Sequence, residues 1–398
     1  MMRTILINGS VYAEQQTYSP GYVVIDGITI LEVGPMSTCP TFPNANVIEL
    51  LPTDRVVPGF IDLHIHGVAG ADTMDGTTEA LRTMATILPQ EGTTSFLATT
   101  MTAPKSLIEH AVRNVALYME TSNQPGEAEI LGIHLEGPFI SPKRAGAQNQ
   151  EYIIDPDISL FHKWQQDANG FIRLVTLAPE LPGGIELVKY LKKHGVVASI
   201  GHSDAIYDEV VHAIQAGISH GTHLFNGMRG LHHREPGVAG AVLMHDEIKT
   251  EIIVDGIHVS PPMVRFAYRN KGKEGLMLIT DAMRAKCMKP GIYELGGQEV
   301  TVKEKQATLA DGTLAGSILK MKDAIQNIQT YTQCSLRDVI QMSSWNPASQ
   351  LNILNRKGSL KKGKDADIVV LDCEGEVAMT FCRGKLAYTR REGLDETN

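Results

Sequence analysis

The spacing of apolar and polar positions changes character twice along the chain. Residues 1 to about 55 carry short period-two runs, Thr4-Ile5-Leu6-Ile7, Gly21-Tyr22-Val23-Val24-Ile25 and Ile30-Leu31-Glu32-Val33, separated by Asn8-Gly9 and Asp26-Gly27. Such dipeptides between apolar runs are turn signals. The same texture returns at the other end in Asp367-Ile368-Val369-Val370-Leu371, Val377-Ala378-Met379-Thr380-Phe381 and Gly384-Lys385-Leu386-Ala387-Tyr388. Strands this short do not form a stable sheet alone, so both ends are expected to pair into one small β-sandwich.

Between them, strand-type runs at 55–64, 94–99, 130–135, 172–177, 196–200, 217–222, 250–254 and 276–280 alternate with amphipathic stretches. Examples of these stretches lie at 77–90, 104–120, 183–194, 205–216 and 260–272, and the fourth and sixth connections are less clear. Strand–helix alternation predicts parallel βαβ units, and eight of them predict a closed (β/α)8 TIM barrel. A glycine-rich β-type stretch at about 284–316 reads as an excursion, after which helices at 318–332 and 335–344 lead back to the small domain. The expected division is 1–55 and 358–398 for the small β domain and 56–357 for the barrel.

With 43% hydrophobic and 20% charged residues, the composition is that of an ordinary globular protein. A net charge of -9 argues against nucleic acid or an anionic membrane surface as a general partner. The five cysteines, Cys39, Cys287, Cys334, Cys373 and Cys382, are scattered and unpaired in pattern, which suits reduced thiols in the cytoplasm. No apolar run approaches the roughly 20 residues of a membrane helix, and no signal segment is evident.

The chemistry gathers at the ends of the predicted strands, where barrel enzymes keep their active sites. The first ends in His64-Ile65-His66, whose imidazoles share one face because strand side chains alternate. The third ends in His134-Leu135-Glu136-Gly137-Pro138, the fifth in Gly201-His202-Ser203, the sixth in Thr222-His223-Leu224 and the eighth in Thr280-Asp281-Ala282. A lone histidine in an apolar neighbourhood is more often a hydrogen-bonded core residue, and Asp281 alone reads equally as a helix N-cap. Five such strand ends together point instead to a divalent-metal site, with His134 left as structural. The nitrogen and oxygen donors suit Zn, Fe(II), Mn or Co without choosing among them. Six side chains, His64, His66, Glu136, His202, His223 and Asp281, exceed the needs of one catalytic ion and can hold two, with Glu136 placed to bridge. The fourth strand ends in Thr176-Leu177-Ala178 with no lysine to supply a bridging carbamate. Such a site suits hydrolysis, with Asp281 as general base towards water and then acid towards a leaving nitrogen.

With these residues in place, the sequence resembles the amidohydrolase superfamily and, within it, the N-acetylglucosamine-6-phosphate deacetylase family. The resemblance rests on Pro58-Gly59-Phe60-Ile61-Asp62-Leu63-His64-Ile65-His66-Gly67, His134-Leu135-Glu136-Gly137-Pro138-Phe139, Gly201-His202-Ser203-Asp204-Ala205 and Thr222-His223-Leu224-Phe225-Asn226-Gly227-Met228. It continues through His232-His233-Arg234-Glu235-Pro236-Gly237, Val254-Asp255-Gly256-Ile257-His258, Thr280-Asp281-Ala282-Met283 and Asp311-Gly312-Thr313-Leu314-Ala315-Gly316-Ser317. The resemblance implies hydrolysis of the acetamide of N-acetylglucosamine 6-phosphate. It implies Glu136, His202 and His223 as ligands of the metal common to the family, His64 and His66 as ligands of a second ion, and Asp281 as acid/base. It further implies Arg234 and His258 as phosphate-binding, with Arg234 reaching into a neighbouring subunit of a homodimer. Ala147, Asn226 and Gly227 match substrate-contacting positions, and Leu314, Ala315 and Gly316 match the loop near the acetyl group. One departure stands out: where many relatives place a substrate-touching histidine, this chain has Gln148.

Two other readings compete. One is a related amidohydrolase acting on another N-acyl sugar or an N-acetyl amino acid, which does not require Arg234 and His258. The other is a catalytically silent barrel serving as a scaffold, which the intact ligand set opposes.

Overall fold

The structure is a computed structural model that describes residues 3–391, so residues 1–2 and 392–398 of the expected small domain lie outside the described residues. Eight strands run in chain order around one parallel sheet: β1 (Phe60–Ile65), β2 (Thr93–Thr99), β3 (Glu129–Glu136), β4 (Ile172–Leu177), β5 (Val197–Ile200), β6 (His220–Gly221), β7 (Lys249–Ile253) and β8 (Leu276–Ile279). The end of β8 returns to β1, where the Asp281 amide donates to the His64 carbonyl at 2.8 Å and Ala282 pairs in parallel with Ile65. Asp62 reinforces this seam. Its carboxylate accepts from the Thr280 amide at 3.3 Å and the Thr280 hydroxyl at 2.5 Å, and also from the His64 amide at 3.2 Å. The result is the (β/α)8 barrel, and the two ends of the chain form the β-sandwich beside it.

The barrel helices are α1 (Thr78–Ile87), α2 (Lys105–Thr121), α3 (Ile158–Asp167), α4 (Gly184–Lys193), α5 (Tyr207–Ala216), α6 (Gly237–Met244), α7 (Pro261–Gly275) and α8 (Met321–Thr332). The fourth connection carries a regular helix, α4. The sixth carries α6, which is buried almost throughout from Gly237 to Leu243. A helix covered on all sides has no polar stripe, and that is why its sequence shows no helical period.

The 55–64 run forms two strands. Arg55–Pro58 pairs antiparallel with Ile368–Leu371 and parallel with Ser10 and Val11 in a six-stranded sheet, while β1 belongs to the barrel. Gly59 makes the transition, since a Cβ there would sit 2.1 Å from Thr94 Oγ1. Thr29–Pro35, Gly21–Asp26, Thr4–Ile7 and Asn46–Glu49 make the facing four-stranded sheet. Leu6, Val23, Ile25, Val56, Ile368, Val370 and Phe381 fill the space between the two sheets. Their neighbours Val57 and Val369 point the other way, into the barrel core. The six-stranded sheet is therefore covered on both faces, and its strands read as unbroken apolar runs.

The excursion is a three-stranded antiparallel sheet of Gly291–Leu295, Gln298–Lys303 and Gln306–Thr308. It packs Leu295, Val300, Val302 and Ala307 against Met101, Met283 and Ala315. Gln298 Nε2 ties it to the Ala147 carbonyl at 2.6 Å, over the C-terminal mouth of the barrel. Among the described residues no helix is long and apolar enough to cross a membrane.

Candidate metal centre

Even-numbered residues of β1 and β3 turn into the barrel, which places Asp62, His64 and His66 on one side and His134 and Glu136 on another. His202 and His223 follow the ends of β5 and β6, and Asp281 follows β8. All three have left-handed backbones, with φ of 48°, 31° and 48°. Non-glycine residues rarely adopt this region, and where they do the surrounding fold holds them there. Here the turn swings each side chain off its strand and across the barrel axis.

These side chains converge. His202 Nε2, His223 Nε2 and Glu136 Oε1 form a triangle with every edge 3.1 Å. Ligand atoms about 2.0–2.2 Å from one divalent ion lie about 3 Å apart, so the triangle has the dimensions of a metal face. Beside it, His64 Nε2 and His66 Nε2 lie 3.5 and 3.3 Å from Asp281 Oδ1. They also lie 3.4 Å from Glu136 Oε1 and 3.3 Å from Glu136 Oε2, respectively. Glu136 thus faces both groups.

Electrostatics supports the same reading. Burial pushes the Glu136 and Asp281 carboxyls up, yet the imidazoles facing them outweigh it and hold both below the usual carboxylate range. Burial opposes a charge on His66, but Asp281 and Glu136 raise it to about 9. Protons on imidazoles and a divalent cation are alternative ways to balance one set of carboxylates. The buried His64 Nε2 has no hydrogen-bond partner. His202 has its other nitrogen donating to the Arg144 carbonyl at 2.8 Å, which leaves Nε2 free to ligate.

His134 is different. Its Nδ1 donates to the Leu63 carbonyl at 3.1 Å, so its Nε2 accepts from the Thr176 hydroxyl at 2.7 Å. Burial pushes its pKa down to about 3, and it stays neutral. With both nitrogens occupied it packs the barrel floor.

Above the ligands lies a cavity of about 220 Å3. His66, Glu136, His202, His223 and Asp281 form its floor, and Ala147, Gln148, Asn226, Gly227, His258, Leu314 and Gly316 line it. His64 is fully buried beneath. Ala315 does not line the cavity; it packs into the core of the excursion. Arg234 also lies outside, on an exposed loop with its guanidinium 2.8 Å from His233 Nε2. Gln148 is pinned at both ends of its amide: Oε1 accepts from the Thr102 amide at 2.8 Å, and Nε2 donates to Glu136 Oε2 at 2.8 Å. His258 donates Nδ1 to Asp255 Oδ2 at 2.6 Å. Burial disfavours a charge on that ring, but Asp255 prevails and raises its pKa.

Met101, Leu295 and Thr313 also line the cavity, and nothing in the sequence marks them, because apolar and hydroxyl side chains carry no ligand signature. Glu251 on β7 is a further buried carboxylate beneath the site, away from the strand ends. A charged residue directly before the apolar run Ile252-Ile253-Val254, within the strand itself, was a readable signal.

Residues 55–387 match the sequence model of the Amidohydrolase family. An N-acetylglucosamine-6-phosphate deacetylase of Bacillus subtilis is 48% identical over 396 residues, covering 98% of this chain and 99% of the relative. A mutant N-acetyl-D-glucosamine-6-phosphate deacetylase of Mycobacterium smegmatis, solved in complex with N-acetyl-D-glucosamine-6-phosphate, superposes with a TM-score of 0.90 at 32% identity, covering 98% of this chain and 100% of that one. The Thermotoga maritima N-acetylglucosamine-6-phosphate deacetylase gives 0.87 at 33% identity, over 97% and 99% of the two chains. The barrel, its ligand-bearing strand ends and these matches together show that the chain belongs to the amidohydrolase family, within the group formed by the N-acetylglucosamine-6-phosphate deacetylases.

Proposed function

We propose that this chain hydrolyses the acetamide of N-acetyl-D-glucosamine 6-phosphate to D-glucosamine 6-phosphate and acetate, in amino-sugar catabolism or recycling. The observation that carries the reading is the meeting of the groups Glu136–His202–His223 and His64–His66–Asp281 at the base of a cavity that His258 also lines. Glu136, His202 and His223 would hold one divalent ion, and His64, His66 and Asp281 would hold a second beside it, with Glu136 facing both groups. An ion there supplies polarisation of the acetyl carbonyl and acidity to a water molecule.

The chain's own residues do the rest. Asp281 is ionised at neutral pH, and its carboxylate takes a proton from the attacking water as the new C–O bond forms. It then returns that proton to the sugar nitrogen as the C–N bond breaks. The cavity walls at Ala147, Gln148, Asn226 and Gly227 hold the sugar, while Leu314 and Gly316 lie beside the acetyl group on a loop that Ala315 anchors in the core of the excursion. His258, whose pKa Asp255 raises against the opposing effect of burial, meets the 6-phosphate. Arg234, exposed on its own chain, completes the phosphate site of a neighbour in a cytoplasmic homodimer; a guanidinium fork matches phosphate oxygens.

Acetate release from N-acetylglucosamine 6-phosphate, measured beside the unphosphorylated sugar, tests this. The phosphorylated substrate is expected to turn over at least tenfold faster in kcat/KM, a difference one well-placed charged contact supplies. Equal rates would remove the phosphate assignment, and full activity after exhaustive chelation would remove the metal.

A further inference from the structure

Beneath the two ligand groups sits a carboxylate that no role has yet claimed. Glu251 is fully buried on β7 and has a partner for each oxygen. Its Oε2 accepts from His64 Nδ1 at 3.0 Å and from the His223 backbone amide at 3.1 Å. Its Oε1 meets His220 Nε2 at 3.0 Å. One oxygen therefore touches a side chain of one ligand group and the backbone of the other. Because a carboxylate oxygen only accepts, the proton of that contact sits on His64 Nδ1. The opposite nitrogen, Nε2, is then aimed at Glu136 and Asp281, and it is the buried atom left without a partner. Neither the apolar sheet nor the His134 ring, stacked edge-on at 4.5 Å, could choose between the two tautomers of His64; Glu251 does.

We propose that Glu251 is a positioning residue that builds the second metal position. It fixes the His64 tautomer and ring angle, and the carboxylate behind the ring strengthens Nε2 as a donor. Its hold on His223 is weaker in consequence, because that contact reaches a backbone amide which the barrel already restrains. Loss of Glu251 therefore weakens the ion on His64 and His66 far more than the ion on Glu136, His202 and His223. This inference rests on the reading of the two groups as metal ligands.

The test is zinc titration by calorimetry of chelator-stripped wild type, Glu251→Gln and Glu251→Ala. Wild type is expected to take up two ions per chain. Glu251→Ala is expected to keep the ion on Glu136, His202 and His223 within about threefold and to weaken the ion on His64 and His66 by about 10–100-fold, the usual effect of removing such a supporting carboxylate. Glu251→Gln, which can still accept from His64 but lacks the charge, falls between. Equal weakening of both ions, or of neither, would overturn the proposal. A measurement on unmutated, zinc-loaded, 15N-histidine-labelled protein needs no variant to fold: His64 is expected to carry its proton on Nδ1 and its metal on Nε2, and the reverse arrangement would overturn the proposal as well. Wild type that binds no zinc would instead sink the underlying metal reading.

Discussion

His202, His223 and Asp281 owe their convergence to left-handed backbones just past their strands, a conformation that glycine tolerates and they do not prefer. Each was legible in the sequence as a ligand type at a strand end, but the turn that aims it was not. Glu251 was hidden for the opposite reason. It lies inside a strand, two residues before the end of β7, where attention to strand ends misses it. Gln148 also changes meaning once its contacts are known, because its amide already supports Glu136; it holds that carboxylate in place whatever else it touches. The sharpest prediction at this scale concerns Asp281. Asp281→Asn keeps the shape but cannot carry a proton between water and nitrogen, so kcat is expected to fall by about 10²–10⁴-fold. One zinc should remain on Glu136, His202 and His223. Steady-state kinetics with metal analysis of the same sample checks both, and near-normal turnover would take Asp281 out of the reaction.

At the scale of elements, strands and amphipathic helices were the readable part, since burial on one face imposes a period. Where an element is covered on both faces the period vanishes. The run 55–64 looked like one strand because Val56 and Val57 are both buried, one in the sandwich and one in the barrel. The division falls at Gly59, which abuts Thr94 Oγ1, Cγ2 and Cβ at 2.1, 2.4 and 2.7 Å from where its own Cβ would be. The contact lies at the root of β1, the strand that ends in His64 and His66. Gly59→Ala is therefore expected to lower stability by about 1–3 kcal/mol, the usual cost of overpacking a filled site. Adding Thr94→Gly to that variant opens the space and should recover part of the loss in a urea melt. A Gly59→Ala chain as stable as wild type would show that the strand junction has slack.

The whole molecule combines a catalytic mouth at one end of the barrel with a charged tie at the other. Arg234 bears on the first. If it completes a neighbour's site, a chain with Arg234→Ala and a chain with Asp281→Asn complement each other when mixed. Random pairing makes half the dimers mixed with one complete site apiece, so activity should return to about a quarter of wild type in a closed two-fold assembly. An arginine serving its own chain would give no recovery. The second feature is Glu129, at the start of β3. Arg356 grips its two oxygens at 2.8 and 3.0 Å, and Lys357 approaches at 2.7 Å, so the segment leading into the C-terminal strands is fastened to the barrel. Burial pushes this carboxyl up, but Lys357, Arg356 and Arg383 prevail and hold it at about 2, against an ordinary 4.5. A lowered folded-state pKa means the unfolded chain binds the proton first as pH falls. The stabilisation is whole above pH 4.5 and drains away towards pH 2. The shift corresponds to about 3 kcal/mol. Glu129→Gln has no such proton to bind, so it should be less stable at pH 7 and should lose less between pH 5 and pH 2.5. Unfolding midpoints taken across that range decide the matter: curves for the two proteins that stay parallel would show that acid loosens the molecule elsewhere.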